Sequence, residues 1–320
     1  MRNLLAAFFF TFLAAAAHAQ FPERPVVLVV PYPPGGGLDI TARQLAPLLA
    51  RELGSQPVVV ENRAGATGSI GASSVAKATP DGHLLLWSSL TSHSIHGSLY
   101  GQAVPYDLEK NFSPVVVFGG IPLVFVVNPG VNARTLAEFI ALAKARPGSL
   151  AFASGGNGSV QHLAGEMFQR LAGIQMLHVP YKGIGPAVND LMGGQVQLIT
   201  ESLAATLSHI RSGKLRALAV ASRQREATLP DVPTAAEAGL KGFEVTVNLF
   251  LLAPAGTPVP VVAKLNGAMK AILDTPAVKE TLLKQAVVAT WQPPEEAAKL
   301  IREENAKWTK VIRDANIKPE

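Results

Sequence analysis

The chain has 320 residues, no cysteine, and a formal net charge of +5 from 28 basic and 23 acidic side chains. Without cysteine it has no disulfide, no thiolate metal cage and no Cys-linked lipid. The basic surplus is small and dispersed, with one loose cluster at Arg216, Arg223 and Arg225. That excludes the basic face with interleaved aromatics that nucleic acid requires.

The amino end, MRNLLAAFFFTFLAAAAHAQ, reads as a secretory signal peptide over residues 1–19. Arg2 opens it, Leu4–Ala17 is apolar, and Ala17-His18-Ala19 is a small-x-small cleavage pattern before Gln20. The apolar run is roughly 14 residues, short of the ~20 of a spanning helix. Export to the periplasm is expected. Loss of Arg2 leaves 27 basic against 23 acidic residues, or +4. An exported protein without disulfides needs a large core, and the remaining length supplies one across two domains.

One pattern then recurs: a short β-branched run, a Gly-rich corner, a helical period. Residues 25–31 (PVVLVVP) lead through PPGGG into LDITARQLAPLLAREL, where Pro47 predicts a kink or an early stop. Residues 57–61 lead into NRAGATGS and a second helix. The strand LLLW, 84–87, ends in the polar run Ser88, Ser89, Thr91, Ser92 and His93. Residues 111–131 hold two strand-like runs around Gly119-Gly120 and Pro122. Residues 150–153 lead through SGGNG into a helix, and 176–180 lead through YKGIG into another. Residues 241–260 are again extended, and the last ~60 residues are helical, with Ile301, Trp308 and Ile312 forming a core-facing stripe. No tandem repeat is evident. Apolar strands alternating with helices predict parallel sheets covered on both faces. Ligands in such sheets sit beyond the carboxyl ends of the strands.

Several enzymatic templates are absent. Gly65 to Gly71 has the wrong spacing for GxGxxG, and neither GxxxxGK[ST] nor GxSxG occurs. The seven histidines form no HExxH pair, and His93 with His96 reads as polar loop rather than metal site. No cofactor and no metal are expected. What remains are corners suited to holding an anion with backbone N–H groups at helix starts. In the first, Asp39 either caps its helix, orients the loop or accepts from a ligand donor. In the second, Ser159 caps while Ser154 and Asn157 donate to an oxygen. Tyr181 walls the cleft, and Lys182 is a second anion contact or a solvated loop residue.

The segments VVPYPPGGGLDITAR, PVVVENRAGATGSIGA, FASGGNGSVQHLAGEMF, HVPYKGIGPAVNDLMGGQVQL and LPDVPTAAEAGLKGFE carry a resemblance. In this order, over nearly the whole exported chain, they resemble periplasmic receptors of tripartite tricarboxylate transporters, the Bug family. The resemblance implies an α/β, two-lobe, type II-like periplasmic-binding fold, with two mixed or parallel sheets flanked by helices and a cleft between lobes. Its motifs point to Tyr32, Pro34, Gly35, Gly36 and Asp39, then Ser89, Ser92 and His93, as ligand-binding. In the second lobe they point to Ser154, Asn157, Gly158, Ser159, His162, Tyr181 and Lys182. Three places depart from the pattern. An Asp-Asn pair is Glu201-Ser202 here, an aromatic-Phe-Gly run is Asn248-Leu249-Phe250, and an Asn-Pro pair is His96-Gly97. Glu201, Ser202, Asn248 and His96 are therefore expected at the end of the site that selects the ligand.

The lobes are expected at 20–122 with 248–320, and at 123–247, with hinge crossings near 115–125 and 243–252. The expected function is capture of a small organic carboxylate by a monomeric receptor, and delivery to membrane permease subunits. The alternatives are a ligand-sensing partner of a sensor kinase, or a cleft enzyme using His162, Tyr181 or Glu201.

Overall fold

The computed structural model describes residues 21–319, and the expected signal peptide lies outside them. Chain order begins β1 (Val26–Val30), α1 (Gly37–Glu52), β2 (Val58–Asn62), α2 (Ser69–Ala76), β3 (Leu84–Ser89), α3 (Leu90–Tyr100) and β4 (Phe112–Val127). It continues with α4 (Leu136–Ala145), β5 (Ala151–Ser154), α5 (Val160–Ala172), β6 (Leu177–Pro180), α6 (Ile184–Met192), β7 (Leu198–Ser202), α7 (Leu203–Arg211) and β8 (Arg216–Val220). It ends with β9 (Thr246–Pro254), α8 (Val259–Asp274), α9 (Pro276–Lys284), β10 (Val288–Gln292) and α10 (Pro294–Asp314).

The strands form a mixed α/β fold in which one order occurs twice. The first half runs β2-β1-β3-β9-β4 and the second β6-β5-β7-β4-β8. In each, three parallel strands meet an antiparallel strand borrowed across the junction: β9 in the first half, β4 in the second.

Within residues 111–131, Phe112–Val127 form one long strand rather than two runs. Phe112 to Pro122 pair with β9, and Leu123 to Val127 pair with β7. Glycine here allows close approach instead of breaking the strand. A Cβ on Gly119 would lie 2.8 Å from Val287 Cγ1, and one on Gly120 would lie 2.7 Å from Thr246 Cγ2. Pro122, which has no N–H, marks the change of neighbours. Helix α1 likewise passes through Pro47 without stopping. Pro47 and Arg43, whose carbonyl loses its partner, both lie on the exposed face, where water replaces the missing bond.

The apolar faces close into separate cores. Trp87 stacks on Phe118 with ring centroids 4.0 Å apart in the first half, and Phe125, Phe152 and Phe168 fill the second. The expected stripe on α10 is divided between them. Ile301 packs with Leu86 and Phe250 of the first half, while Trp308 and Ile312 pack in the core of the second.

Candidate functional site

Four strand-to-helix corners meet at the junction: β1 to α1, β3 to α3, β5 to α5 and β7 to α7. Ser89 pairs with Leu249, which pairs with Gly119, while Ser202 pairs with Leu123. The ends of β3 and β7 thus arrive four residues apart along β4, about 13 Å of strand. Each helix points its amide-rich, partly positive end toward this junction. Serines cap three of them: Ser89 accepts from Ser92 N, Ser159 from His162 N and Ser202 from Ala205 N. Helix α1 starts at Gly36 with no side-chain cap.

In the first corner, Asp39 orients the loop. Its carboxylate accepts from Gly35 N (2.9 Å), Arg43 Nε (3.0 Å) and Asn62 Nδ2 (2.9 Å), and it is only 3 % exposed. The Arg43 hydrogen bond, then that from Gly35, lowers its pKa to about 2. Asn62 also donates to the Tyr32 carbonyl, so the end of β2 fastens the corner from behind. With these donors in place, Asp39 serves the loop rather than a ligand. Gly35 has φ +84°, which only glycine adopts freely. Gly36 and Gly37 need glycine for neither φ nor packing, since a Cβ there meets nothing closer than Pro33 O at 3.8 Å.

At the end of β3 lies a buried relay. Ser88 Oγ is 2.8 Å from His93 Nε2, and His93 Nδ1 is 2.5 Å from Tyr106 Oη. His93, expected to line the cleft, is 1 % exposed, and burial depresses its pKa to about 3. Ser88 is 0 % exposed. This Ser-His-Tyr chain is a buried floor beneath the corner. Beside it, the buried Tyr32 hydroxyl lies next to Ser88 and Ser92, and the buried Ser69 hydroxyl next to Tyr106. Ser92 donates its hydroxyl to Ser89 Oγ at 3.1 Å.

The second corner is braced from within. Ser154 is fully buried; its Oγ accepts from Gly156 N and sits 2.7 Å from His178 Nε2. Gly158 N donates to His162 Nδ1 at 3.1 Å. The rings of His162 and His178 stack with centroids 3.9 Å apart, and burial, then His162, lowers the His178 pKa to about 4. Ser154 and His162 therefore shape this corner, while Asn157 is exposed on it. His178 is absent from the sequence expectations because an isolated His in MLHVP carries no local signal. The corner also touches the first half, since a Cβ on Gly158 would lie 2.7 Å from Leu99 Cδ2 on α3.

Tyr181 turns its hydroxyl to Asp190 Oδ2 on α6, at 2.6 Å, and burial, then Asp190, raises its pKa to about 12. Lys182 is exposed. Glu201 and Ser202 sit where β7 becomes α7, and Glu201 Oε2 accepts from Gln161 Nε2 at 2.7 Å. Asn248 is set apart from Glu201. It lines a recess of about 660 Å³ with Arg223, Glu244 and Glu303 that includes none of the corner glycines 35–37 or 155–158. His96, the third departure, lies against Tyr100 on α3, with ring centroids 4.7 Å apart. Among the described residues no cluster of His, Asp and Glu suits a metal ion, and no helix is long and apolar enough to cross a membrane.

Comparison with known proteins agrees with this geometry. A family model described as the tripartite tricarboxylate transporter family receptor, TctC, matches residues 41–317. Protein BugT of Bordetella pertussis is 41% identical over 307 residues, covering 96% of this chain and 94% of BugT. Rpa4515 of R. palustris, solved with adipate, is 33% identical with a TM-score of 0.78, covering 94% of this chain and 100% of its own. MatC of Rhodopseudomonas palustris, solved with bound malate, is 35% identical with a TM-score of 0.74, covering 91% and 100%. The chain belongs to the TctC family of tripartite tricarboxylate transporter receptors, proteins that bind a solute rather than transform it.

Proposed function

We propose that this receptor works in the periplasm. It takes a small organic carboxylate at the α1 corner, closes two lobes over it and presents it to the membrane subunits of a tripartite transporter. The observation that carries this reading is the bare start of α1. Of the four helix ends at the junction, it alone lacks a capping side chain. Its Gly36 and Gly37 leave open space where the fold tolerates a side chain. An N-terminus of that kind favours an oxyanion through both dipole and N–H groups. Adipate in Rpa4515 and malate in MatC support the ligand class. In this reading the lobes are 20–122 with 248–320, and 123–247. The hinge is the pair of crossings on β4 and before β9, and the receptor acts as a monomer.

Thermal unfolding against a panel of carboxylates, phosphate esters and short peptides tests the reading. A bound carboxylate raises the melting temperature by mass action. Stabilisation by phosphate esters or peptides with none by any carboxylate would overturn it.

A further inference from the structure

The two sides of the junction differ in what they offer a ligand. On the first-half side the uncapped start of α1 offers backbone donors. On the second-half side two backbone donors are already used: Gly156 N–H is held by Ser154 and Gly158 N–H by His162. At the α7 end the protein supplies its own anion. Glu201 is 3 % exposed, and its Oε1 accepts from Ser202 N at 2.6 Å. The position that would welcome a second ligand carboxylate is thus filled by a side chain.

Glu201 forms no ion pair among the described residues; its oxygens accept from the neutral Gln161 amide and Ser202 N–H, with the Ser202 hydroxyl beside them. A carboxylate has acceptor capacity beyond these bonds. Burial raises its pKa above the ordinary carboxylate value, so an added donor or cation would meet a real need there. Gln161 extends this acceptor surface. Because its Nε2 is committed to Glu201, its Oε1 turns toward the second corner, 3.6 Å from where a Cβ on Gly155 would stand.

Resting on the reading that a carboxylate binds at the α1 corner, we infer that the ligand is asymmetric. It has a carboxylate at one end and an ammonium or hydroxyl donor at the other, with Glu201 and Gln161 as the residues that recognise the donor end. A molecule with carboxylates at both ends places a second negative charge beside a buried one, which costs several-fold to many-fold in affinity. Adipate and malate, seen with relatives, each carry two carboxylates. This chain would differ from those receptors in the far half of its site.

Isothermal titration calorimetry decides it with matched probes: butanoate, 4-hydroxybutanoate, 4-aminobutanoate and succinate. The set is repeated at three, five and six carbons, and with 4-aminobenzoate, 4-hydroxybenzoate and terephthalate as rigid counterparts. The expected result is that, at the preferred length, the amino or hydroxy acid binds the wild-type protein at least tenfold more tightly than the dicarboxylate. Glu201→Gln, isosteric and neutral, should shrink that margin at least tenfold. A dicarboxylate as the tightest wild-type ligand overturns the inference without any variant, so a failure of Glu201→Gln to fold leaves it testable. An unchanged margin in a folded Glu201→Gln overturns it too, while leaving the carboxylate receptor intact. If no probe with a carboxylate binds the wild-type protein, the receptor reading falls and this inference with it.

Discussion

A side chain at position 36 would stand in open space, 3.8 Å from its nearest neighbour, on a backbone with φ −75° and ψ 163° that any residue adopts. Neither φ nor packing therefore explains glycine there, whereas Gly119 and Gly120 are explained by the strands beside them. Gly36→Val separates these roles. The isopropyl group covers the first N–H groups of α1, so carboxylate binding should fall by at least a hundredfold. The loss of a favourable N-cap residue costs only about 1 kcal/mol. Calorimetric titration with the acid selected by thermal screening, alongside circular dichroism, reads both. Wild-type affinity in a folded Gly36→Val protein would remove α1 from the site.

The corner from β1 to α1 is held as a unit by Asp39, Arg43 and Asn62, and this gives the element a pH signature. The carboxyl of Asp39 titrates at about 2 when folded, below its ordinary 3.8. A depressed folded value means that the stabilisation is complete above the unfolded value and is lost as pH falls toward 2. Asp39→Asn should therefore melt a few degrees below wild type at pH 7, and the gap should narrow between pH 5 and pH 2.5. A gap that stays constant over that range would show that the carboxylate charge does not hold the corner. The corner itself is legible in the sequence, because proline, glycine and an acidic first turn are local signals. Its fastening is not: Asn62 lies 23 positions beyond Asp39, and only the pairing of β2 beside β1 brings its amide there. Gln161 and His178 are missed for the same reason, since their partners Glu201 and Ser154 are 40 and 24 residues away. The strand order is hidden more deeply. A parallel sheet follows from apolar runs alternating with helices, but β4 and β9 each complete the opposite half, and no periodicity records that exchange.

At the scale of the molecule, the two crossings on β4 and before β9 are not the only links between halves. Helix α10 starts against the first half through Ala297 and Ile301, and ends in the core of the second. There Trp308 is fully buried and its indole donates to Glu304 at 2.8 Å, while Asp314 pairs with Arg170 of α5 at 2.5 Å. A third link constrains the proposed closure: two halves turning about β4 and β9 would require α10 to bend or its last turns to slide over α5. Trp308→Ala empties a large buried volume and should cost about 3–5 kcal/mol. Its local consequence discriminates more sharply. If α10 bridges the halves, amide exchange in this variant should rise first in the last turns of α10 and in α5, with the first half protected as in wild type. Adding ligand to the wild-type protein should slow exchange in those same turns together with the corners, because closing the lobes fixes all three connections at once. Loosening confined to the first half would instead make α10 an appendage of that half and leave the two strand crossings to carry the motion alone.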